Sequence, residues 1–518
     1  MVINMNKFKK IGALGLAAVL GLGALSGCGA KQQTSTDDGA VEMDIFMHFY
    51  GYCVFDDDWD VFKVAAEKTG VTLHGTAVET VSDSAQAFST MLAEKKLPDI
   101  ICYMGNELKK NGERGALVPL EDLISEYAPN IQKFFEECPE AKVAATASDG
   151  HIYYIPGTLA PVDMKNLPSM GFFIRQDWLD KLGLSVPKTV DEYHDVLKAF
   201  REKDPNGNGK KDEIPYFDRK GALEELFQLF AAHGKEYVKD GDYKLGFLEE
   251  EYKNAIREIA KWYSEDIIDK EIFTRGNQAR EQLLSSNLGG STHDWFSSTA
   301  SYNEKYPENG MNFVPIAPPA DINGVVKEDM GRSLLHGLGW GISKDNKDPI
   351  RTIKYFNWWL SDEATQLHSY GIEGVHYNVI NGEKVFTEEV LKGEGGVPNY
   401  LRNIGALVEF GAINDIGAEL AGMNELARKG FNMYLDNGYI QPSAPALSYN
   451  REEQKVIDAY ENNIKTFVSE QQQKWILGTE DVDATWDRYI ETLKSMNVDE
   501  YLKALQSAYA RYTEELRQ

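Results

Sequence analysis

A short polar segment, DPNGNGKKDEIP at residues 204–215, has the residue types and the spacing of a metal-binding loop. Oxygen-bearing side chains recur at its first, third, fifth and ninth positions, and glycine stands sixth, as in a calcium loop of the EF-hand type. Pro215 takes the twelfth position, where such loops carry a bidentate glutamate, so Glu213 at the tenth is the nearest substitute. The predicted ligands are Asp204, Asn206, Asn208, the carbonyl of Lys210, Asp212 and Glu213.

Oxygen ligands of this number suit Ca²⁺ with added water. The loop contains no histidine or cysteine, so zinc and softer metals fit it poorly. The alternative is a solvated turn, because Asp-Pro and Asn-Gly are common turn formers. Thr189 and Glu192 form a capping box that starts a helix leading into the loop. A loop at the end of a packed helix favours a structural metal over a catalytic one.

The beginning of the chain has the pattern of an export signal. Lys7, Lys9 and Lys10 precede an apolar run at residues 11–25, which is shorter than the roughly 20 residues that a membrane span needs. The run ends in Leu-Ser-Gly-Cys, the pattern of a bacterial lipobox, so we predict lipidation of Cys28. A plain secretory peptide with an incidental cysteine is the alternative, and translation starts at Met1 or at Met5.

Residues 29–40 are small and polar, which is typical of a flexible tether. The net charge is −27 and becomes −30 without the three signal lysines, so the chain should repel nucleic acids and anionic lipid heads. The negative net charge favours uncharged or cationic ligands over anionic ones. Past the tether the length predicts at least two domains. Cys53, Cys102 and Cys138 are an odd set, for which we expect buried free thiols, with a Cys53–Cys102 disulfide as the alternative.

After the tether, strand patterns and helix patterns alternate. The order is strand, helix, strand, helix, strand through residues 41–49, 58–68, 71–78, 83–97 and 98–104. This order predicts an α/β fold with mixed, mainly parallel sheets flanked by helices. A new strand at GFFIRQDW, residues 171–178, opens a second lobe, and the last hundred residues are mostly helical.

Several longer segments together resemble a known family. They are the lipobox, PDI at 98–100, FFIRQDWLDKLGLSVPKTVDEY at 172–193, the loop at 204–215, YGIEGVHY at 370–377 and WILGTEDVDATWDRYIETLKSM at 475–496. The chain resembles extracellular solute-binding protein family 1, in the subgroup of large lipoproteins of carbohydrate ABC importers that includes alginate-oligosaccharide binders with a calcium loop. The resemblance covers almost the whole chain.

This resemblance implies a type II, two-lobed clamp of the periplasmic-binding-protein kind with discontinuous lobes. The expected N-terminal lobe comprises residues 41–158 and about 325–400, and the C-terminal lobe comprises residues 159–324 and about 401–518. The expected ligand is a carbohydrate of the oligosaccharide class, which would lie between the lobes and pass to a membrane permease. The resemblance also implies structural calcium at the loop, a monomer, no catalytic residues and a lipid-anchored location at the cell surface or in the periplasm.

A sugar site needs aromatic platforms beside carboxylates, amides or arginine, and in open α/β sheets such groups follow the carboxyl ends of strands. Four parts of the sequence fit this rule, and the predicted ligand-binding residues are Tyr50, Tyr52, Asn106, Asp294, Trp295, Arg332, Trp340, Glu373, His376 and Tyr377. The alternative for the aromatic residues is burial in the core, where such side chains often pack.

Two rival functions stay open at this point. The same clamp could bind peptides or another solute, because aromatic platforms serve those ligands too. An exported carbohydrate-active enzyme would need a pair of carboxylates across a sugar subsite, and the 81 acidic residues do not exclude one. The sequence has no HExxH, GxSxG or P-loop motif, which argues against the commoner metalloprotease, esterase and nucleotide-hydrolysing classes.

Overall fold

The computed structural model describes residues 39–50, 53–77, 82–159, 166–219, 221, 223–329 and 331–517. The predicted signal, Cys28, nearly all of the tether and Tyr52 lie outside the described residues. No helix of the described part is both long enough and apolar enough to cross a membrane.

The strands of the described chain follow one another in this order: β1 Val41–Phe49, β2 Cys53–Val54, β3 Val71–Gly75, β4 Ile100–Met104, β5 Ile155–Thr158, β6 Met170–Arg175, β7 Ile214–Tyr216, β8 Glu236–Lys239, β9 Asp242–Leu245, β10 Gly289–Trp295, β11 Phe313–Pro315, β12 Leu335–Ile342, β13 Tyr377–Ile380 and β14 Glu383–Phe386.

The α-helices are α1 Asp60–Thr69, α2 Ser84–Leu92, α3 Gly105–Glu113, α4 Glu121–Tyr127, α5 Pro129–Glu137, α6 Pro139–Ala145, α7 Gln176–Leu182, α8 Val190–Glu202, α9 Glu224–Leu229, α10 Glu250–Ser264, α11 Ala279–Ser285, α12 Phe296–Ala300, α13 Tyr302–Lys305, α14 Pro349–Trp359, α15 Asp362–Tyr370, α16 Glu388–Leu391, α17 Val397–Asn403, α18 Ile416–Gly422, α19 Glu425–Asp436, α20 Arg451–Ile476, α21 Val482–Ser495 and α22 Val498–Glu515. Within the described residues, 3₁₀ turns lie at Gly246–Leu248, Gly276–Gln278 and Pro307–Asn309.

Two larger sheets organise the fold. The first sheet has six strands in the order β2-β1-β4-β12-β5, with β3 also paired to β1. The second sheet has four strands in the order β11-β6-β10-β7. Two hairpins, β8-β9 and β13-β14, form separate two-stranded sheets.

Both larger sheets are mixed, as predicted, but antiparallel pairs outnumber the expected parallel ones. Among the described strands, β1 is parallel to β3 and β4, and β10 is parallel to β7, whereas the other five pairs of the two sheets are antiparallel. The parallel pairs of the first sheet arise from the predicted βαβ order. The antiparallel neighbours β12 and β5 are far apart in sequence, which strand and helix alternation does not reveal.

The apolar residues form separate cores around the two sheets. The first core collects buried side chains from residues 43–155 and again from residues 338–418. A second core joins residues 172–316 to the C-terminal helices at residues 457–505, and a third packs residues 167–313 against residues 416–440. Both sheets are thus built from segments far apart in sequence. The bounds predicted for the two lobes stay a prediction.

Three segments connect the parts of the chain that belong to different sheets, and they bond to one another. The amide of Leu159 donates to the carbonyl of Leu334 over 2.9 Å, and the amide of Thr158 donates to Ala412 O, also over 2.9 Å. We call residues 158–159 with 166–169, 331–335 and 406–416 the crossing segments. The hydrogen bonds between these segments hold together the strand ends at which the chain passes from one sheet to the other.

Candidate ligand-binding site

The ends of several strands lie next to the crossing segments. In the first sheet, β5 ends at Thr158 and the antiparallel strand β12 begins at Leu335, its register partner. In the second sheet, β6 begins at Met170, which is paired with Trp295 at the end of β10. The crossing segments therefore join one edge of the first sheet to one edge of the second. Side chains at these two edges are the candidates for a cleft between the sheets.

Tyr50 follows β1 at this edge of the first sheet. Its side chain is 48% exposed, and its hydroxyl donates a 2.8 Å hydrogen bond to Oε2 of Glu409. The backbone φ of Tyr50 is 57°, a left-handed conformation that non-glycine residues adopt rarely and that often marks functional sites. Glu409 belongs to a crossing segment, and it was absent from the predicted site.

Asn106 and Trp295 occupy equivalent places after two other strands. Asn106 is exposed on the first turn of α3, directly after β4. Trp295 ends β10 and is 40% exposed, so its ring is available to a ligand rather than used in the core. Both residues follow the carboxyl end of a strand, as expected for ligand-binding groups. Their role in binding stays a prediction.

Asp294 is buried beside Trp295 and is held by two arginines. Its Oδ2 accepts from Nε of Arg219 over 2.7 Å and from Nη1 of Arg280 over 3.0 Å. Arg280 also donates to the hydroxyl of Ser298 over 2.8 Å. Because its carboxylate is 4% exposed and engaged by both guanidinium groups, Asp294 fixes this edge of the second sheet. A direct contact with ligand is better suited to the partly exposed arginine Arg219.

Arg332 lies within a crossing segment, just before β12, and its side chain is held by neighbouring residues. Its amide donates to Leu167 O over 2.8 Å, and its guanidinium donates to Leu159 O over 3.2 Å. An ion pair of 2.7 Å joins it to Glu419 on α18. These contacts tie the crossing segments to each other, so the described bonds of Arg332 are structural.

Trp340 is a correction to the predicted site. Its side chain is fully buried, stacked on Phe356 with ring centroids 4.5 Å apart and packed against Phe410 at 4.6 Å. The residue belongs to β12, the strand between β4 and β5, and its side chain points into the first core. A ring enclosed in this way offers no face to a sugar.

His376 and Tyr377 are also enclosed. His376 is 2% exposed, and its Nδ1 accepts from the amide of Ile372 over 3.0 Å. Tyr377 begins the β13-β14 hairpin, is 4% exposed and packs against Tyr370 with centroids 5.3 Å apart. Both side chains are therefore packing residues at the base of the β13-β14 hairpin, and neither is exposed to a ligand. Glu373 is exposed on the turn before the hairpin, and its predicted contact with ligand stays a prediction.

The predicted metal loop lies between α8 and β7, and its polar side chains turn inward. Asp204 accepts from the amides of Asn208 over 3.1 Å and Gly209 over 3.0 Å. Asp212 accepts from the amide groups of Asn206 and Asn208. Burial by itself would raise the pKa of Asp212, but the hydrogen bonds from Asn208 and Asn206 outweigh burial and lower the pKa.

Glu213 has a different environment at the base of the loop. The residue is 1% exposed, and within the described residues its Oε2 has no hydrogen-bond partner. Burial raises the pKa of Glu213, and the nearby charges of Asp204 and Asp212 raise it further. A buried carboxylate oxygen without a partner, facing two other carboxylates, fits a divalent cation. No cluster of three or more histidine, cysteine, aspartate or glutamate side chains arranged for a metal occurs in the described chain, so asparagine and carbonyl oxygens would have to complete the set.

A second charged network lies behind β10. Nε2 of His293 is 3.0 Å from Oε1 of Glu328, and both side chains are almost fully buried. Burial lowers the pKa of His293, but the charge and the hydrogen bonds of Glu328 outweigh burial and raise it to about 9. No motif or spacing in the sequence relates His293 to Glu328, because the two residues lie on different segments.

Glu409, Arg219 and Arg280 are the further site candidates that the sequence analysis missed. Glu409 is the one charged residue in the apolar run GALVEFGA at residues 405–412, and an acid in such a run is a signal that could have been used. The two arginines carry no such signal. Their importance follows from their contacts with Asp294.

Comparison with known proteins identifies the family. The family described as bacterial extracellular solute-binding protein matches residues 57–366. The chain therefore belongs to the bacterial extracellular solute-binding proteins, as the motifs predicted.

Among curated relatives, the fructooligosaccharide ABC transporter substrate-binding protein FusA of Streptococcus pneumoniae serotype 4 is 26% identical, over 98% of this chain and 99% of its own length. The polygalacturonan/rhamnogalacturonan-binding protein YtcQ of Bacillus subtilis is 25% identical, over 81% of this chain and 82% of its own.

Solved structures agree on the fold. The alginate-binding protein AlgQ2, crystallised without calcium ion, is 36% identical, covers 93% of this chain and 100% of its own, and superposes with a TM-score of 0.80. FusA in complex with kestose has a TM-score of 0.74 at 22% identity, over 92% of this chain and 100% of its own. The type II solute-binding fold predicted from the sequence is confirmed.

Proposed function

We propose that this protein captures an oligosaccharide outside the cytoplasm and delivers it to the permease of an ABC importer. The observation that carries the proposal is its end-to-end similarity to FusA, combined with the closer structural similarity to AlgQ2. Those proteins are named for binding a fructooligosaccharide and alginate. They differ in sugar, so they support a carbohydrate ligand for this chain without selecting one.

The exposed aromatic side chains support the same proposal. Trp295 at the edge of the second sheet and Tyr50 at the edge of the first both expose ring surface, on which the flat face of a sugar can stack. Asn106, on the first turn of α3, and the partly exposed Arg219, which is bonded to Asp294, offer hydrogen bonds to a ligand. We therefore retain Tyr50, Asn106 and Trp295 as ligand-binding residues, together with Glu373, and Tyr52 lies outside the described chain.

We further propose that each larger sheet forms the centre of one lobe and that ligand binding closes the two lobes. The crossing segments would act as the hinge, because they are the covalent links between the sheets and bond to one another. Arg332 and Glu419 would stabilise the hinge. Closure would present the loaded form to the permease.

Calcium at the 204–213 loop is part of the proposal. Asp204, Asn206, Asn208, the Lys210 carbonyl, Asp212 and Glu213 would hold the ion, and the unpartnered oxygen of Glu213 supports this assignment. Calcium would supply positive charge to three carboxylates and join the end of α8 to β7. Both elements belong to the second core, so the expected role is structural.

The expected location also remains a proposal. Family membership places the protein among extracellular solute-binding proteins. Lipidation at Cys28 would anchor it to the membrane at the cell surface or in the periplasm, with residues 29–40 as a tether. Mass spectrometry of the membrane fraction of expressing cells would detect the lipid on Cys28, and its loss in Cys28→Ala would test the assignment.

Binding assays with the mature protein in calcium buffer would test the proposed function. A thermal-shift screen would compare oligosaccharides, simple sugars and short peptides, and calorimetry would follow each positive result. Ligand at a hundred times its dissociation constant stabilises a protein by about 2.7 kcal/mol. Stabilisation by oligosaccharides that are recovered uncleaved supports the proposal. Stabilisation by peptides alone would contradict the sugar, and cleaved sugars would favour the enzyme alternative.

A further inference from the structure

We propose that Glu409, oriented by Tyr50, determines the ligand class of the cleft by accepting hydrogen bonds from the hydroxyls of a neutral sugar unit and disfavouring a uronate at that subsite. This inference rests on the proposed oligosaccharide function and deepens it. No sequence motif pointed to Glu409, and the relatives described above include binders of both neutral and acidic saccharides by name.

The backbone of Glu409 is fixed by the first core. Its neighbours Val408 and Phe410 are buried, and Nε2 of His368 is 2.9 Å from Val408 O. The thiol of Cys102 contacts the carbonyl of Glu409 with a sulfur-to-oxygen distance of 4.0 Å. Since the residue is held on both sides, its side chain projects from a rigid base towards the edge of the first sheet. A preorganised acceptor loses little entropy when a ligand binds.

The carboxylate is oriented but only partly engaged. The hydroxyl of Tyr50 donates to Oε2, and among the described residues this is the hydrogen bond that the Glu409 carboxylate accepts. Tyr50 itself packs edge-on against Phe49, with ring centroids 5.4 Å apart, and keeps about half of its surface exposed. The pair thus combines an aromatic face with a carboxylate acceptor. Carboxylates beside aromatic platforms are well suited to sugar hydroxyls.

Charge distinguishes Glu409 from Asp294, the buried acid near the end of β10. Asp294 is neutralised by ion pairs with Arg219 and Arg280. Among the described residues no lysine or arginine forms an ion pair with Glu409. Burial raises the pKa of the nearby Cys53 to about 12, the charge of Glu409 raises it further, and the charge of Arg402 lowers it. A carboxylate that is not in an ion pair forms stronger hydrogen bonds to hydroxyls than a neutral acceptor does, and it repels a second carboxylate. The unpaired carboxylate of Glu409 therefore favours an uncharged sugar unit over a uronate at this subsite.

Paired variants would test the inference. Calorimetry on the mature protein in calcium buffer would compare neutral trisaccharides, including kestose and maltotriose, with trigalacturonate and trimannuronate. The variants are Glu409→Gln and Tyr50→Phe. The matched controls are Glu126→Gln and Tyr127→Phe, because the Tyr127 hydroxyl donates a similar 2.7 Å hydrogen bond to Glu126 at the end of α4, outside the candidate site.

The wild type should bind at least one neutral trisaccharide more tightly than either uronate. Glu409→Gln should weaken that binding by about 10- to 100-fold, the usual cost of losing a hydrogen bond to a charged group, and reduce the preference over uronates. Tyr50→Phe should weaken it by a smaller factor, about 3- to 10-fold, because the acceptor remains but loses its orientation. The control variants should bind like the wild type, and melting curves would verify that every variant is folded.

Two results would overturn the inference in distinguishable ways. Tighter binding of a uronate by the wild type, or unchanged selectivity in Glu409→Gln, would overturn the role of Glu409 and leave the proposed oligosaccharide function standing. Failure of folded wild-type protein to bind any saccharide, while binding peptides, would overturn the proposed function and this inference with it.

Discussion

Glu213 provides a prediction about how calcium changes the pH dependence of stability. The residue is 1% exposed, and its pKa is raised by burial and by the charges of Asp204 and Asp212. In the metal-free protein the folded-state pKa thus lies above the usual 4.5, so the proton stabilises the fold. That stabilisation is complete below pH 4.5 and is lost as the pH rises through the folded-state pKa. Calcium requires the ionised form and should reverse the trend.

The size of the calcium effect follows from mass action. Calcium at about 1 mM and a dissociation constant of about 10 µM give roughly 2.7 kcal/mol of stabilisation. Residues Ala40–Gln518 form one compact unit. At about 2.1 cal/mol/K per residue, its unfolding entropy is about 1 kcal/mol/K, so the melting temperature should rise by about 3 °C.

Scanning calorimetry of metal-stripped protein, with and without calcium, would measure this effect at about pH 5 and about pH 7.5. We expect a larger calcium shift at the higher pH. Glu213→Gln should melt at or above the wild-type temperature without metal, because it removes a buried, unpaired charge, and should lose most of the calcium shift. Glu202→Gln, at the exposed end of α8, is the matched control and should behave like the wild type.

The reasoning would be refuted if calcium left the melting temperature unchanged at both pH values with no ion bound. It would also be refuted if Glu213→Gln retained the full calcium shift. The first result would make the loop a turn held by its own hydrogen bonds, which is the alternative drawn from its sequence, and the second would remove Glu213 from the ligands.

Three further predictions concern the cleft, the first core and the buried histidine. Trp295→Ala should weaken oligosaccharide binding by about 1–3 kcal/mol in calorimetry with little change in melting temperature, and unchanged affinity would remove Trp295 from the site. Trp340→Ala should instead lower the free energy of unfolding by about 3–5 kcal/mol in denaturant titrations, and a selective loss of affinity at full stability would contradict its place in the core. The His293–Glu328 pair should stabilise the fold fully below pH 6.5 and lose this contribution as the pH rises to about 9. Urea titrations across that range should show the decline in the wild type and a smaller one in His293→Gln, and equal slopes would refute the assignment.

Local features of the fold were predictable from the sequence. The alternating segment at residues 41–49 is the strand β1, with the same bounds. Thr189 caps α8 by accepting from the amide of Glu192 over 3.2 Å, and the helix leads into the polar loop as expected. These features depend on hydrogen bonds and side-chain periodicity within a few residues, so the local sequence contains the information that specifies them.

Long-range pairing was decided only by the tertiary structure. The sequence marked Trp340 as an aromatic residue near a strand end, but the position of β12 between β4 and β5 turned its ring into the core. The same folding brought Glu409 to Tyr50, 359 residues away in sequence. The family, the loop and the aromatic candidates were therefore determined by residue type and spacing. Which aromatic side chains remain exposed, and which acid lies beside them, depended on packing between segments that no local pattern relates.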